Sequence, residues 1–174
     1  LLSRRAALLA LLFMGAAVPA AAQQWIPFEP GGAGFRVDFP GKPLIDGSAD
    51  ASTRYGKVAT VTAKLDGPDG IVFYAIYTIY PAGTASREPQ KVLDAQRLGR
   101  TAIGVLRSQQ RLSFNGQPAQ RDMVDWHGPQ PLVIVSLDVA RGDWLYSIYC
   151  FAPRGQENNP AIQRFISSFA FTTP

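Results

Sequence analysis

Residues 109–151 read QQRLSFNGQPAQRDMVDWHGPQPLVIVSLDVARGDWLYSIYCF, and the spacing of apolar and turn residues in this stretch decides the fold class. Asn115-Gly116 is a hairpin signal, because both residues tolerate the positive φ of a tight turn, and it joins Arg111–Phe114 to Ala119–Trp126. Leu132–Ala140 and Trp144–Phe151 follow, joined at Arg141-Gly142, with aromatic residues placed to pair across the strands. Hairpin after hairpin makes an antiparallel meander.

Upstream, Ile71–Tyr80 is nearly continuous in Ile, Val, Phe and Tyr, which predicts a central strand covered from both sides. Lys57–Leu65 alternates and reads as its neighbour, with Asp66-Gly67-Pro68-Asp69-Gly70 between them. Those carboxylates lack the further ligands that a calcium loop needs, so the segment reads as a plain turn. Trp25–Glu29 and Phe35–Phe39 predict a hairpin around Gly31, Gly32 and Gly34. That Gly-rich piece leads into a strand and not a helix, so it offers no helix N-terminus to a phosphate.

Between the strand blocks, Glu88-Pro89 starts a helix. Val92, Ala95, Gly99, Ala102, Ile103 and Leu106 share one side at 3.6 residues per turn, while Arg97, Arg100 and Arg107 cluster on another. Gly99 on the apolar stripe predicts close approach to a strand. At the C-terminal end Asn159 caps, Pro160 takes the first helical position, and Ile162, Phe165, Ile166 and Phe169 repeat at helical spacing, with Phe169–Thr172 returning as an edge strand. Strands, a helix, a meander and a last helix predict an α+β fold, an antiparallel β-sheet flanked by helices.

The 174 residues carry 17 Lys and Arg, 13 Asp and Glu, one His and one Cys, for a formal charge of +4. One Cys and one His exclude a disulfide scaffold and a Cys/His zinc module. Ten Phe, six Tyr and three Trp argue against disorder. Residues 1–22 read as a cleavable signal peptide: Arg4 and Arg5, the apolar run Ala6–Val18, a break at Pro19, and small residues at Ala20 and Ala22 that place cleavage before Gln23. Ser3-Arg4-Arg5 resembles a twin-arginine signal, but Ala7 stands where that signal prefers a bulky residue, which favours ordinary Sec export. Residues 23–174 then form a single domain with 15 basic and 13 acidic residues, net +2. That charge gives no reason to expect nucleic-acid binding. No Cys follows the signal, so a soluble periplasmic or secreted protein is expected, with no transmembrane span after cleavage and no lipid anchor. Cys150 reads as a buried small apolar residue.

FRVDFPGKP (Phe35–Pro43), the aromatic strand end at Tyr77–Pro81, the helix after it, the Gly116 hairpin and the closing RFISSF (Arg164–Phe169) together resemble the PsbP-like family. The family's fold is shared by an extrinsic photosystem II subunit, a Ran-binding nuclear import factor and many exported bacterial proteins. The resemblance runs from Trp25 to Phe171 and implies an α/β/α sandwich that works mainly by binding other proteins. It carries no family binding residue onto this chain.

Catalytic residues are sparse. His127 lies in Trp126-His127-Gly128-Pro129, and Asp125 two residues earlier could share its strand face and orient it. Ser136, Ser147 and Cys150 stand in no nucleophile motif, and one His cannot build a transition-metal site. Asp122 and Asp125 face opposite sides of a strand, while Asp138 and Asp143 flank a hairpin where Arg141 could serve both. No metal or cofactor is therefore expected. The favoured reading is an exported, non-catalytic protein that binds a protein partner or assists assembly in the cell envelope, through aromatic and Arg-rich surface around Arg100, Trp144 and Tyr146. The competing reading is a small-ligand or hydrolytic protein with a pocket between sheet and helix that includes His127, Asp125 or Tyr74. A third is weak contact with anionic lipid through Arg97, Arg100 and Arg107.

Overall fold

A computed structural model describes residues 24–53 and 55–172; the signal-peptide reading of residues 1–22 lies outside the described residues. Among the described residues ten strands and two α-helices follow in the order β1 (Ile26–Phe28), β2 (Phe35–Phe39), β3 (Leu44–Thr53), β4 (Gly56–Asp66), β5 (Val72–Ile79), α1 (Pro89–Thr101), β6 (Gly104–Phe114), β7 (Gln117–Trp126), β8 (Leu132–Arg141), β9 (Trp144–Pro153), α2 (Pro160–Ser167) and β10 (Ala170–Phe171), with a single 3-10 turn at Pro68–Gly70 between β4 and β5. Seven strands form one antiparallel sheet in the order β3-β4-β5-β9-β8-β7-β6, and β1-β2-β10 form a small second sheet.

The meander is as the sequence implies. Asn115 and Gly116 both take positive φ, 49° and 78°, at the β6–β7 turn. The β8–β9 hairpin closes with Arg141 opposite Trp144, and β9 then pairs with β5 along its whole length. Alternation along these strands divides the sheet into two faces. Phe73, Val133, Leu137, Val139, Tyr146, Ile148 and Cys150 point to one face, where α2 and the small sheet cover them. There Phe165 of α2 meets Phe39 of the small sheet at 4.8 Å and Phe73 of the large one at 5.2 Å, so one ring ties three layers together. The Asn159 side chain accepts from the Ala161 amide at 2.9 Å, which caps α2 ahead of Pro160. Burial holds the Cys150 thiol well above its usual range, so it packs as an apolar group.

The other face carries α1, and here the structure corrects three expectations. The helix ends at Thr101 and the chain re-enters the sheet at Gly104, so Ile103, Leu106 and Arg107 are not helical. Gly104 sets this boundary, because a Cβ there would stand 2.3 Å from the Asp125 carbonyl oxygen. The buried side of α1 is Val92, Leu93 and Arg100, and not a stripe through Gly99. At Gly99 a Cβ would meet nothing within 4 Å. Gly99→Ala is therefore expected to raise the unfolding free energy by about 0.5–1 kcal/mol, read from urea denaturation, since it removes backbone freedom at no steric cost.

One further expectation changes, and one strand is additional to those read from the sequence. β5 is central, but only Phe73, Ala75 and Thr78 are buried; Tyr74 and Ile76, on the α1 face, are half-buried because α1 lies over β7, β8 and β6 and leaves β5 partly uncovered. β3 is a strand that the sequence conceals, since LIDGSADAST is poor in β-branched and aromatic residues; its pairing with β4 supplies what propensity does not. Among the described residues no helix is long and apolar enough to cross a membrane.

Candidate functional site

Beneath α1 lies a polar cluster inside the protein. Asp138 of β8 and Asp122 of β7 point to the α1 face, both with side chains at 0% exposure, and Arg100 reaches down to them from the helix. The guanidinium grips Asp138 through its two terminal nitrogens, at 2.5 and 2.7 Å, and stands 3.7 Å from Asp122. The Gln120 amide donates to the Leu93 carbonyl at 2.7 Å and to Asp122 at 3.1 Å. Among the described residues Asp122 Oδ1 and Gln120 Oε1 have no hydrogen-bond partner. Burial, and next the Asp138 charge, push the Asp122 carboxyl up to about 6, against the pull of Arg100. Beside the cluster is a cavity of about 190 Å³ whose wall includes Gln96, Arg100, Ile134, Ser147, Tyr149 and Phe151. Burial drives the Tyr149 hydroxyl up to about 12, and its ring stacks on Tyr74 at 4.9 Å.

On the opposite face, a larger cleft of about 730 Å³ opens between the β1–β2 loop and the β8–β9 turn. Trp144 and Tyr146 line it, their rings nearly parallel at 6.2 Å, and Tyr77 stacks on Trp144 at 5.9 Å. One wall is Gly31-Gly32-Ala33-Gly34, and Arg141 and Gly142 stand on another side. Three bonds fix the loop: Ala33 amide to Pro30 carbonyl at 3.1 Å, Tyr146 hydroxyl to Ala33 carbonyl at 2.9 Å, and Thr172 amide to Gly34 carbonyl at 3.1 Å. Arg141 lies over the Phe171 ring at 4.5 Å.

The residues singled out in the sequence fall in different places. Trp144 and Tyr146 meet in the cleft, but Tyr146 is buried at 3% exposure and Trp144 is half-buried, so they line a recess and form no exposed patch. Arg100 is inside the protein, on the opposite face from both. Arg97 pairs with Asp94 at 3.3 Å, and Arg107, in the β6 edge strand, pairs with Asp125 and Glu157; the three arginines make no common face, because Arg107 is not on the helix and Arg100 turns inward. Asp125 serves Arg107 and Arg154 instead of orienting His127. His127 lies past the end of β7, exposed, with its amide on the Ile103 carbonyl, and lines none of the cavities described here. Tyr74 reaches the small cavity only through Tyr149. Ser147 is held by Gln96 at 3.3 Å, and Ser136 is buried against the Asp122 main chain. Arg141 does not join Asp138 and Asp143: Asp138 goes to Arg100, while Asp143 accepts from the Ser86 and Gly83 amides, which hold its carboxyl below the usual range.

Two contributors to the cleft are not legible in the sequence. Arg141 reads as a turn residue, and the glycines of the β1–β2 loop read as hairpin chemistry, which they also are: Gly32 and Gly34 have φ of 76° and 67°. Their second role, to wall a cleft with bare main chain, depends on how the small sheet docks on the large one.

No family model matches the chain, and no curated protein matches it. Among solved structures it is similar to cyanobacterial PsbP (CyanoP) from Synechocystis sp. PCC 6803, 12% identical, with a TM-score of 0.54 over 91% of this chain and 98% of that one. It is also similar to protein PA94 of unknown function from Pseudomonas aeruginosa, 11% identical, with a TM-score of 0.46 over 86% of this chain and 98% of that one. The first likeness extends over nearly the whole of both chains, and the fold of this protein is PsbP-like.

Proposed function

We propose that this protein is exported to the cell envelope and acts by binding another protein, not by catalysis, and that the cleft lined by Trp144 is the binding surface. One observation carries the reading: Trp144, Tyr146 and Arg141, the residue types that dominate binding energy at protein interfaces, share one recess with a loop whose main chain is accessible and already ordered. An ordered wall reduces the entropy lost on binding. The family resemblance supports the same reading, as an analogy of fold. A photo-crosslinking residue in place of Glu29, exposed on the cleft lining, is expected to give a discrete adduct in envelope fractions, and the same residue in place of Lys91 on α1 is not. Equal adducts at both positions, or none at Glu29, would refute the assignment.

The cavity under α1 favours a second reading, a site for a small ligand with an apolar body and a hydrogen-bonding head, facing Ile134, Phe151, Ser147 and Tyr149. Its volume of about 190 Å³ lies below the range of drug-sized pockets, so only a small molecule would fit. On this reading a screen of small phenols and amides by thermal shift finds ligands for the wild type but not for Ser147→Phe.

A further inference from the structure

We infer that the Trp144 cleft recognises an extended segment of a partner protein in which an acidic side chain lies beside an aromatic or large aliphatic one, the carboxylate on Arg141 and the apolar group on Trp144. The inference rests on the reading of this cleft as the protein-binding surface, and it names what that surface selects.

Arg141 supplies the main argument. Among the described residues Arg36, Arg97, Arg100, Arg107, Arg111 and Arg154 each meet a carboxylate within 4.0 Å. Arg87, Arg121 and Arg164 have no such partner there, but they are exposed, and water serves them. Arg141 is half-buried, and no carboxylate is within ion-pair distance of it among the described residues. Its contacts are the Phe171 ring and a 3.5 Å approach of one nitrogen to the Gly34 carbonyl. A guanidinium has five donors in a planar fork, so most remain to be satisfied, and a carboxylate fits that fork. Glu29 is also on the cleft lining without reaching Arg141, so a single acidic residue suits the cleft better than an acidic run.

Shape favours a length of chain. The cleft holds about 730 Å³, more than one amino-acid side chain fills, and its walls include the small residues Gly31, Gly32, Ala33, Gly34 and Gly142. Gly31 is informative because the fold does not require it: its φ is ordinary and a Cβ would meet nothing within 4 Å. A larger side chain there adds bulk at the cleft lining without straining the loop. Trp144, backed by Tyr77, then offers a flat apolar surface within reach of Arg141, whose own strand partner it is.

The test pans phage-displayed random short peptides against the full chain, and measures the enriched sequences as synthetic peptides by fluorescence anisotropy against wild type, Arg141→Gln, Arg141→Glu and Gly31→Trp. Enriched peptides are expected to carry Asp or Glu within two positions of an aromatic or Leu. Affinity should fall at least about tenfold in Arg141→Gln, the loss of one charge-assisted contact, and should be abolished in Gly31→Trp. Arg141→Glu should instead enrich basic peptides, a reversal that a merely unfolded variant cannot show. Peptides without an acidic residue, or binding unchanged in Arg141→Gln but lost in Gly31→Trp, would overturn the carboxylate inference and leave the surface assignment standing. Binding that survives Gly31→Trp would overturn both. If amidating the peptide C-terminus removes binding while Asp→Asn within it does not, the site takes a chain terminus and the internal segment is wrong.

Discussion

At neutral pH, Asp138→Asn is expected to lower the unfolding free energy by about 3–5 kcal/mol, the range for removing one partner of a buried ion pair. The attraction itself is not what is lost. Transferring Arg100 and Asp138 from water to a site with 0% exposure at the carboxylate is costly, and the bidentate contact offsets that cost only while both charges are present. Asparagine leaves the guanidinium charged and unforked. Arg100 cannot shed its proton in response, because a guanidinium stays protonated in proteins even when buried; in the wild type burial lowers its affinity for the proton, and Asp138 together with Asp122 more than restores it.

The second carboxylate modifies this result in a measurable way. Asp122 stands 3.7 Å from Arg100 and is available as a substitute counter-ion. Already ionised at pH 7, it is expected in Asp138→Asn to take over part of the compensation, which places the single variant toward the lower end of the range. Asp122→Asn alone removes no essential charge, since Asp138 retains the fork. The double variant leaves Arg100 with neither, and its loss should exceed the sum of the two singles by about 1–2 kcal/mol. Urea unfolding of the four proteins at pH 7 checks the cycle. Additivity within about 0.5 kcal/mol would mean that Asp122 does not sense Arg100.

This cluster also shows where the sequence stops informing. The hairpins at Asn115-Gly116 and Arg141-Gly142 and the cap at Asn159-Pro160 are local chemistry, and each stands where the sequence puts it. Faces are not local. Trp144 and Tyr146 are two residues apart and must share a face, but which face, and what covers it, depends on the docking of β1, β2 and β10, which meet from opposite ends of the described residues. Arg100 reads as solvated because charged helix residues usually are, and the apolar spacing that runs on to Leu106 draws the helix past its end. One signal is present: Asp138 sits in VIVSLDVA between apolar neighbours, in a strand with no room for an unpaired charge, so a cation has to reach it from another element. Gly104 is the other, a residue that breaks the helical pattern just where the chain returns to the sheet.

Raising the pH from 4 to 7 is expected to weaken the wild type relative to Asp122→Asn by about 2–2.5 kcal/mol. The sign follows from proton counting. In the unfolded chain Asp122 loses its proton near 3.8, and in the folded protein it keeps it to about 6, so between these values the native state binds more protons and stability falls as pH rises. The contribution is complete below 3.8 and gone above about 6; each unit of separation is worth about 1.4 kcal/mol. Burial is the first cause, and the groups facing the carboxyl explain the rest: Asp138 and Asp94 raise it, Arg100 and Arg97 lower it. The asparagine of the variant cannot ionise, and its amide is a donor beside the orphaned Gln120 carbonyl, so the variant should match the wild type at pH 4 and exceed it at pH 7. Asp143 and Glu157 also change protonation on folding, but their carboxyls are held below the usual range, so their stabilisation is lost as pH falls through those lowered values, and it is common to both proteins. Denaturation of both in urea at intervals from pH 4 to 7 therefore isolates the Asp122 contribution as the difference between two curves. A difference that does not change with pH would mean that Asp122 is ionised throughout, paired with Arg100 as fully as Asp138 is.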